Sequence, residues 1–525
     1  MLRRSLLTSA IAASLLTTFS LPAFATQVYE TDLVIIGGGL SGLAAAQSAV
    51  DQGAKPIVLE KEAALGGGGN FPEGSLGVGT RYQKEHNINT TVDQVLTAAL
   101  QYHHYRADPH VLRVLIEESG KTIDWVMDKG AQMRGIRTMY PKDESLMTWH
   151  LFKGGAAGII QRFAKEVRAK GGTILTETPA KKLIVENGKV VGVEAVDGEG
   201  EKVIVKAKKV IIATGGFESN KEMLAKYVND SSALGMFEPV WYRGPVTDGK
   251  NGDGRTGDGI QMAQLVGAGV KGMHTIAGNA PYLADLPPIN QFMGADELKQ
   301  GRCALAQPWL WVDQHGKRFF NESRGAVFVD VYNAMTSAGG VMYNIIDQQY
   351  DQLVNKGALL PFNAIVLAGV PLKALPKTFE IGQQRGWAFK ADTIDDLAAQ
   401  IGVPASNLKE TMNKVNEYAK AGKDPEFGRL PEHLATFNME KGPYYALKGI
   451  RAFFLTLGGV TVNPKFQALN PQGDVIDNLY VVGQDIGGLY DSSYDLRCEG
   501  SASSFAMTSG RLAADNALAD VKAGK

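Results

Sequence analysis

The first residues whose type and spacing can do chemistry are the glycines of segment 37–42, which reads G-G-G-L-S-G and matches G-x-G-x-x-G. This segment follows the apolar run 31–36, typical of a strand buried on both faces, and precedes an alanine-rich helical stretch at 43–52. A second apolar run then ends in Glu60. Glycines allow a pyrophosphate to approach the backbone, the helix N-terminus favours its charge, and Glu60 can bind ribose hydroxyls. The pattern predicts a dinucleotide site.

Further glycine-marked loops indicate which dinucleotide binds. The acid at position 60 argues against NADP and leaves FAD or NAD. Leu65 is followed by four glycines, an apolar run at 210–213 ends in Thr-Gly-Gly, and segment 479–485 repeats the strand-then-glycine pattern. Four such loops that converge on one elongated ligand favour FAD, because FAD is longer than NAD and is held along its length.

Composition excludes several classes of protein. The 525 residues carry 54 Lys+Arg against 55 Asp+Glu, so the basic excess of a nucleic-acid binder is missing. The two cysteines, Cys303 and Cys498, exclude a disulfide scaffold, a four-cysteine zinc site and an iron–sulfur cluster held within the chain. The sequence has no C-x-x-C-H motif for covalent haem, and adjacent His103 and His104 lack ligand spacing on a helix. We predict no metal site.

The N-terminal segment predicts export. Residues 1–25 combine Arg3 and Arg4, an apolar stretch and an A-x-A cleavage site at 23–25. The signal suits the general secretory route and also, with its paired arginines, the twin-arginine route. The mature chain is expected in a bacterial periplasm. No later apolar run approaches the roughly 18 residues that a membrane-spanning helix needs.

Together these motifs resemble the flavoprotein family of soluble fumarate reductases, urocanate reductases and 3-ketosteroid dehydrogenases. Supporting motifs occur in the family's order along the whole mature chain. They are G-G-A at 154–156, G-D-G-I at 257–260, G-K-R-F-F-N-E at 316–322, P-Y-Y-A at 443–446, T-L-G-G at 456–459 and R-C-E-G-S-A-S at 497–503.

The resemblance implies an α/β fold with a Rossmann-like FAD-binding domain that is split in sequence. Its two parts would be residues 27–270 and 455–525, around an inserted α+β capping domain at 271–454. FAD would be bound without a covalent link. The family's haem and FMN domains are not recognisable here, so electrons would pass to or from a separate partner, a cytochrome or a quinone-linked protein.

The glycine motifs and the resemblance predict a set of cofactor-binding residues along the FAD. They are Gly37, Gly39, Ser41, Gly42, Glu60, Lys61, Gly67, Gly68, Gly69, Gly74, Ala156, Thr214, Gly215, Asp258, Gln484, Asp485, Ala502 and Ser503. The family often has a glutamate at the position of Gln484, so Asp485 is an alternative ribose partner.

Three residues are predicted catalytic from the resemblance. Arg497 falls on the arginine that grips a substrate carboxylate in fumarate reductases, through paired hydrogen bonds. Arg324 lies two residues past Glu322, whereas the family's proton-donating arginine lies four residues past its glutamate. Tyr445 matches a tyrosine that the steroid branch uses in catalysis. Each residue also has an alternative interpretation in which it takes no part in catalysis. Arg497 is then a structural loop arginine, Arg324 a surface or structural arginine, and Tyr445 a core aromatic residue.

The substrate prediction depends on one departure from the family. Leu455 occupies the position where fumarate reductases have a carboxylate-binding histidine, which makes fumarate a poor candidate. The sequence therefore favours reduction of an α,β-unsaturated carboxylate with an apolar or aryl substituent, and an unsaturated acid or enone is the expected substrate. Two alternatives stay open: dehydrogenation of a steroid-like or cyclic ketone, and a non-catalytic flavin electron carrier.

Overall fold

The computed structural model of the chain describes residues 26–140, 144–228, 254–286, 291, 294–363, 365–491, 493–494 and 497–524. The predicted export signal, residues 1–25, lies outside these described residues. Among the helices that the structure describes, none is both long enough and apolar enough to cross a membrane.

The elements alternate between strands and helices along most of the chain. The strands are β1 Gln27–Ile36, β2 Ile57–Leu59, β3 Gly74–Leu76, β4 Met133–Arg137, β5 Trp149–Phe152, β6 Thr173–Leu175, β7 Ala180–Glu186, β8 Lys189–Val196, β9 Lys202–Ile212, β10 Val270–Lys271, β11 Ile276–Leu283, β12 Leu310–Val312, β13 Val341–Ile346, β14 Ala388–Ala391, β15 Tyr444–Thr456, β16 Gly459–Val460, β17 Gln467–Leu469 and β18 Val475–Val481. The helices are α1 Leu40–Asp51, α2 Arg81–Glu85, α3 Val92–Tyr102, α4 Pro109–Asp128, α5 Gly155–Ala169, α6 Lys221–Tyr227, α7 Asp258–Leu265, α8 Asp296–Leu305, α9 Phe328–Ser337, α10 Gln349–Asn355, α11 Leu375–Arg385, α12 Ile394–Ile401, α13 Ala405–Ala421 and α14 Ser501–Lys522.

The main sheet has the strand order β17-β18-β9-β1-β2-β6, and β7 and β8 extend it from β9. Strands β18, β9, β1, β2 and β6 are mutually parallel. The C-terminal half of β1 is a continuous apolar run because helices and loops bury it on both faces. Since β18 comes from the C-terminal segment, both ends of the chain share this sheet. The predicted Rossmann-like α/β fold is confirmed.

Helices α1 and α14 pack closely on each other because small residues line their contact. A Cβ on Gly510 would lie 2.2 Å from the Ser41 backbone oxygen, too close for any side chain. Helix α1 is buried from Leu40 to Val50. The contact between Gly510 and Ser41 places the tenth residue of α14 against the second residue of α1, so α14 begins roughly 13 Å before the start of α1, measured along its axis.

A second sheet belongs to the segment predicted as the capping domain. Its order is β11-β15-β13-β12, with β14 paired to β15, and every pairing is antiparallel. The long strand β15 passes through this sheet and leads back to the main sheet. The domain boundaries at 270/271 and 454/455 stay a prediction, and β10 pairs with β16 across them.

A buried ionic cluster fixes the loop that precedes α9. The Arg318 guanidinium lies 2.6 Å from Glu322 and 2.7 Å from Asp424 (Nη2 to the carboxylate oxygens). Burial alone would raise the pKa of Asp424, but the hydrogen bonds and charge of Arg318 outweigh it and lower that pKa to about 2. A buried ion pair of this kind specifies geometry more than it adds stability. Because Glu322 belongs to this cluster, the cluster also sets the position of Arg324, two residues after Glu322.

Candidate active site

A cavity of about 480 Å³ opens where parallel strands β1, β2 and β9 end and helices α1 and α14 begin. This edge is where open α/β sheets bind their ligands. The predicted cofactor-binding residues that line the cavity are Gly37, Gly39, Ser41, Glu60, Lys61, Gly67, Gly68, Gly69, Gly74, Thr214, Gly215, Asp258, Gln484, Ala502 and Ser503. The structure therefore brings together residues from six distant segments of the sequence.

Glu60 lies at the end of β2 with its carboxylate at the glycine turn. Its oxygens accept hydrogen bonds from the backbone N–H groups of Gly38 at 2.7 Å and Glu62 at 2.9 Å. Burial raises the pKa of the Glu60 carboxyl, although these bonds oppose the shift. A carboxylate has about four acceptor positions, so Glu60 can still bind ribose hydroxyls while it holds the turn.

Two helix N-termini contribute to the cavity wall. Helix α1 begins after Gly39 and α14 begins after Gly500, and neither N-cap glycine supplies a side-chain hydrogen bond. The first backbone N–H groups of both helices are thus available to a ligand, and the helix dipoles favour negative charge there. The N-terminus of α1, which directly follows the glycine turn, suits a pyrophosphate.

Gln484 and Asp485 have separate roles. Gln484 lines the cavity, whereas Asp485 is fully buried behind it and accepts hydrogen bonds from Thr214 Oγ1 at 2.7 Å and Gly215 N at 2.6 Å. Burial raises the pKa of Asp485 to about 7. Of the two predicted ribose partners, Gln484 is the one that reaches the cavity, and Asp485 positions the Thr214 loop.

Two other predicted cofactor-binding residues also lie behind the wall. Gly42 lies within α1, where a Cβ would meet the Gly37 backbone oxygen at 1.9 Å, so its role is to let the helix approach the turn. Ala156 is buried in α5, and its N–H donates to the Pro72 backbone oxygen at 2.9 Å. Both residues shape the site through the backbone and do not line it.

Sequence reasoning missed Arg255, which lines the cavity beside Gly68. Its guanidinium lies 2.6 Å from Glu218 and donates to Gln484 Oε1 at 3.0 Å and to the Phe454 backbone oxygen at 3.3 Å. Arg255 thereby ties a cofactor loop to the end of β15. Its only sequence signal was its place two residues before the G-D-G-I motif.

The wall that the capping segment contributes is apolar apart from two asparagines. It consists of Asn279, Val327, Phe328, Val329, Asn363, Ile365 and Phe454, and it continues into Leu455, the first residue of the second predicted FAD-binding part. Aromatic side chains of Tyr140, Trp149 and Tyr494 from other segments also line the cavity, and the rings of Phe454 and Tyr494 lie 5.5 Å apart. Leu455 therefore lies where the sequence predicted an apolar surface. Such a wall suits an aryl or alkyl group.

Arg324 and Arg497 both pair with one carboxylate, that of Glu144. These three residues are not among those that line the cavity, but they lie beside the lining residues Tyr140 and Val327. Glu144 lies 2.6 Å from each guanidinium, through Oε1 to Arg324 and through Oε2 to Arg497. Asp330 lies 2.7 Å from the other side of Arg324. The Arg497 guanidinium is 5.8 Å from the ring centre of Tyr140, which lines the cavity. The structure brings the two predicted arginines together, with an internal carboxylate as their partner.

Tyr445 lies elsewhere. It stacks on Tyr350 with ring centres 4.3 Å apart and packs edge-on against Phe379 at 5.2 Å. Tyr445 and Phe454 are nine positions apart on β15, about 30 Å of extended strand. The structure does not bring Tyr445 to the cavity. Its contacts with Tyr350 and Phe379 are those of a packed core residue.

Glu499 is a second residue that sequence reasoning missed. It is buried at the cavity wall, where it accepts hydrogen bonds from Thr138 Oγ1 at 2.8 Å and from the Met139 backbone N–H. Burial raises the pKa of its carboxyl. These bonds attach the loop that carries Tyr140 to the loop that carries Arg497. Among the described residues, no cluster of His, Cys, Asp and Glu could hold a metal ion.

Residues 32–500 match the protein family described as FAD binding domain. The chain belongs to this family. It is an FAD-dependent oxidoreductase of the CH–CH and C=C class, and FAD is its cofactor. The cavity fits this cofactor, because it combines glycine loops at 37–39 and 66–69, two open helix N-termini and the Glu60 carboxylate, which has acceptor positions left for ribose hydroxyls.

Relatives cover nearly all of this flavoprotein. It is 30% identical over 487 residues to the vinyl phenol reductase of Lactiplantibacillus plantarum, which covers 91% of this chain and 94% of that protein. It is 27% identical over 498 residues to the NADH:fumarate oxidoreductase of Klebsiella pneumoniae, covering 93% of this chain and 47% of the relative. The flavoprotein thus spans about half the length of that second relative.

The fold of the flavoprotein has a close counterpart among solved structures. The 3-ketosteroid-Δ4-(5α)-dehydrogenase of Rhodococcus jostii RHA1 superposes with a TM-score of 0.70 at 21% identity, covering 93% of this chain and 97% of that one. At this level of identity the likeness shows the fold alone.

Proposed function

We propose that this flavoprotein reduces the C=C bond of an alkene that is conjugated to an aryl ring. The observation that carries the proposal is the apolar and aromatic wall of the cavity, which includes Val327, Phe328, Phe454 and Leu455. A dicarboxylate such as fumarate needs a cationic or hydrogen-bonding partner at each end. Leucine supplies neither, whereas it packs well against a ring.

The family comparison supports an aryl substrate independently of the cavity. Vinyl phenol reductase, whose name describes reduction of an aryl alkene, aligns over nearly its whole length with this chain. For the alternative reaction, dehydrogenation of a cyclic ketone, the steroid dehydrogenase offers a likeness of fold alone. That likeness does not extend to the chemistry of a site.

The chain's own side chains would orient the substrate and hold the one proton that the reduction requires. Bound FAD supplies hydride at its N5 atom. The apolar wall holds the aryl ring and excludes water. Arg324 is our candidate for the group that holds the proton. Burial lowers the pKa of Arg324, but its bonds to Glu144 and Asp330 outweigh that effect and raise it, so the guanidinium is protonated before reaction.

We also propose that the protein acts in the periplasm and receives electrons from a separate cytochrome or quinone-linked protein. The N-terminal sequence supports export, and the sequence has no C-x-x-C-H motif that would attach a haem. N-terminal sequencing of protein purified from a periplasmic extract tests the location. A mature N-terminus at Thr26 is expected, and an intact Met1 would contradict export.

The central experiment follows reoxidation of the flavin in anaerobic, dithionite-reduced protein. A 4-vinylphenol, a cinnamate, fumarate, a cyclic enone and a quinone are added in separate runs. Fast reoxidation by an aryl alkene supports the proposal. Reoxidation by quinones or cyclic enones alone would assign the enzyme to the dehydrogenases, and no reoxidation by any compound would indicate an electron carrier. Aryl alkenes include acrylates, which carry a carboxylate, and vinyl arenes, which do not. The charged groups around Arg497 bear on which of these two substrate classes the enzyme prefers.

A further inference from the structure

Glu144 pairs with Arg497, the arginine that the resemblance assigned to a substrate carboxylate, and also with Arg324. Each of its oxygens pairs with one guanidinium at 2.6 Å, so the carboxylate bridges Arg324 and Arg497. These residues are 180 and 353 positions from Glu144 in sequence, and the fold alone brings the three together. Charge-assisted bonds at this distance are strong and directional.

Among the residues that the structure describes, the charges of this cluster balance. Arg324 also pairs with Asp330 at 2.7 Å, so two guanidinium groups face two carboxylates. The side chains of Glu144, Arg324 and Asp330 are only 24%, 21% and 21% exposed. Water screens such half-buried charges less than it screens surface pairs. A third carboxylate would therefore enter a cluster in which the described guanidinium groups already face carboxylates.

The backbone supports a defined role for Arg497. Its φ angle is +60°, in the left-handed region that residues with side chains rarely adopt. Such a conformation persists only where surrounding contacts maintain it, and it often marks a functional site. Here the contacts are Glu144, which pairs with the guanidinium, and Tyr140, whose ring lies beneath it at the cavity wall.

We propose that Glu144 is a specificity-determining residue that excludes substrates with a carboxylate at this end of the cavity. The preferred substrate is then an uncharged aryl alkene such as a vinyl arene, in place of the acrylate that the sequence favoured. This inference rests on the proposed function and adds the charge of the substrate to it. Loss of the Glu144 charge would leave net positive charge beside Tyr140 and admit an aryl acrylate.

The test compares kcat/KM for 4-vinylphenol and for 4-hydroxycinnamate, which differ by one carboxylate. Wild-type protein is expected to prefer 4-vinylphenol. In Glu144→Gln the ratio should shift toward the acid by about tenfold or more, the size expected when one charge-assisted pair partner is removed. Because the charge effect is electrostatic, raising the salt concentration should reduce the shift.

Control variants distinguish the effect of the Glu144 charge from an effect of the substitution on folding. Glu117→Gln removes a similar arginine-paired glutamate (3.1 Å from Arg113) on the exposed surface of α4, and it should leave the ratio unchanged. Glu144→Asp keeps the charge and should retain the preference for the vinyl arene. Glu144→Ala provides a second neutral variant if the glutamine variant is poorly folded, and the flavin absorption spectrum reports folding in each.

The outcomes distinguish the two proposals. A wild-type enzyme that prefers the acid, or an unchanged ratio in both neutral variants, would overturn the role of Glu144 while aryl alkene reduction stands. If neither wild type nor variants reduce any aryl alkene, the proposed function fails and this inference fails with it. A ratio that shifts in the neutral variants alone supports both.

Discussion

Arg255 and Glu218 form a buried ion pair inside the wall of the FAD cavity, with 2.6 Å between guanidinium and carboxylate and side-chain exposures of 8% and 0%. Glu218 also accepts a hydrogen bond from Thr456 Oγ1 at 3.3 Å, next to Leu455 of the apolar wall. The pair therefore connects the region that binds the cofactor to the region that would bind the substrate.

Removal of one member of this pair is expected to destabilise the protein strongly. Glu218→Ala leaves the Arg255 guanidinium buried without this carboxylate, a change that typically costs about 3–5 kcal/mol of unfolding free energy. Chemical denaturation of the apoprotein measures it. Glu117→Ala, which breaks an exposed pair, should change stability by less than about 1 kcal/mol. Equal effects of the two substitutions would contradict the importance of the buried pair.

Two glycines of the cofactor turn should differ sharply when replaced by alanine. In Gly42→Ala the new Cβ would lie 1.9 Å from the Gly37 backbone oxygen, whereas in Gly39→Ala the nearest atom is 3.7 Å away. Gly39 also has an extended backbone that alanine can adopt. We expect Gly42→Ala to lose about 3 kcal/mol of apoprotein stability, and Gly39→Ala less than about 1 kcal/mol.

Calorimetry of the two apoproteins provides the comparison for this glycine pair. FAD affinity should fall in both, because Gly39 lines the cavity and Gly42 supports the turn. A stable Gly42→Ala apoprotein would show that helix α1 can move away from the turn, which the close packing argues against.

Asp485 should make stability depend on pH. Burial raises its pKa from 3.8 to about 7, so the folded protein keeps a proton that the unfolded chain releases near pH 4. Stability from this group is fully present below about pH 4 and is lost as the pH rises to about 7, at roughly 1.4 kcal/mol per pH unit. Asp485→Asn removes that contribution to the slope.

The measurement for Asp485 is apoprotein denaturation at several pH values between 4 and 8. Other buried carboxyls also contribute, so the informative quantity is the difference in slope between wild type and Asp485→Asn. Asp477→Asn, at a side chain that is 53% exposed, is the matched control and should keep the wild-type slope. Identical slopes for all three proteins would exclude a shifted pKa at Asp485.

Arg497→Ala is expected to reduce turnover more than tenfold and to leave FAD bound. The substitution removes the guanidinium beside Tyr140 and leaves the bridging carboxylate of Glu144 without one of its two partners, whereas the glycine cradle of the cofactor is untouched. Stopped-flow reoxidation with 4-vinylphenol and the flavin spectrum provide the two readouts. Activity within tenfold of wild type would show that Arg497 has a structural role only.

The cofactor site was predictable because its signals are local. The glycine turn, the acid at the end of β2 and the helices that start after Gly39 and Gly500 are each encoded within a few consecutive residues. Steric and dipole effects of a turn depend on neighbours in sequence. Even there, local patterns did not separate residues that line the cavity from Gly42, Ala156 and Asp485, which lie one layer behind it.

The residues that sequence reasoning missed share a different property. Arg255, Glu218 and Glu499 act through charges whose partners are far away in the chain. A lone arginine or glutamate has no periodicity that separates a buried role from an exposed one. Tyr445 shows the converse, because a motif placed it in the site whereas strand geometry places it in an aromatic cluster about 30 Å along β15.

The sequence by itself determined the class of fold and the FAD cofactor, because these follow from short-range patterns of glycine, strand and helix. The resemblance to the fumarate reductases singled out the apolar residue Leu455. Only the tertiary structure decided that Arg324 and Arg497 share one carboxylate, and that this carboxylate is Glu144. Electrostatic balance is a property of groups within a few ångströms in space. The fold brings such groups together without leaving any spacing in the sequence that would reveal it.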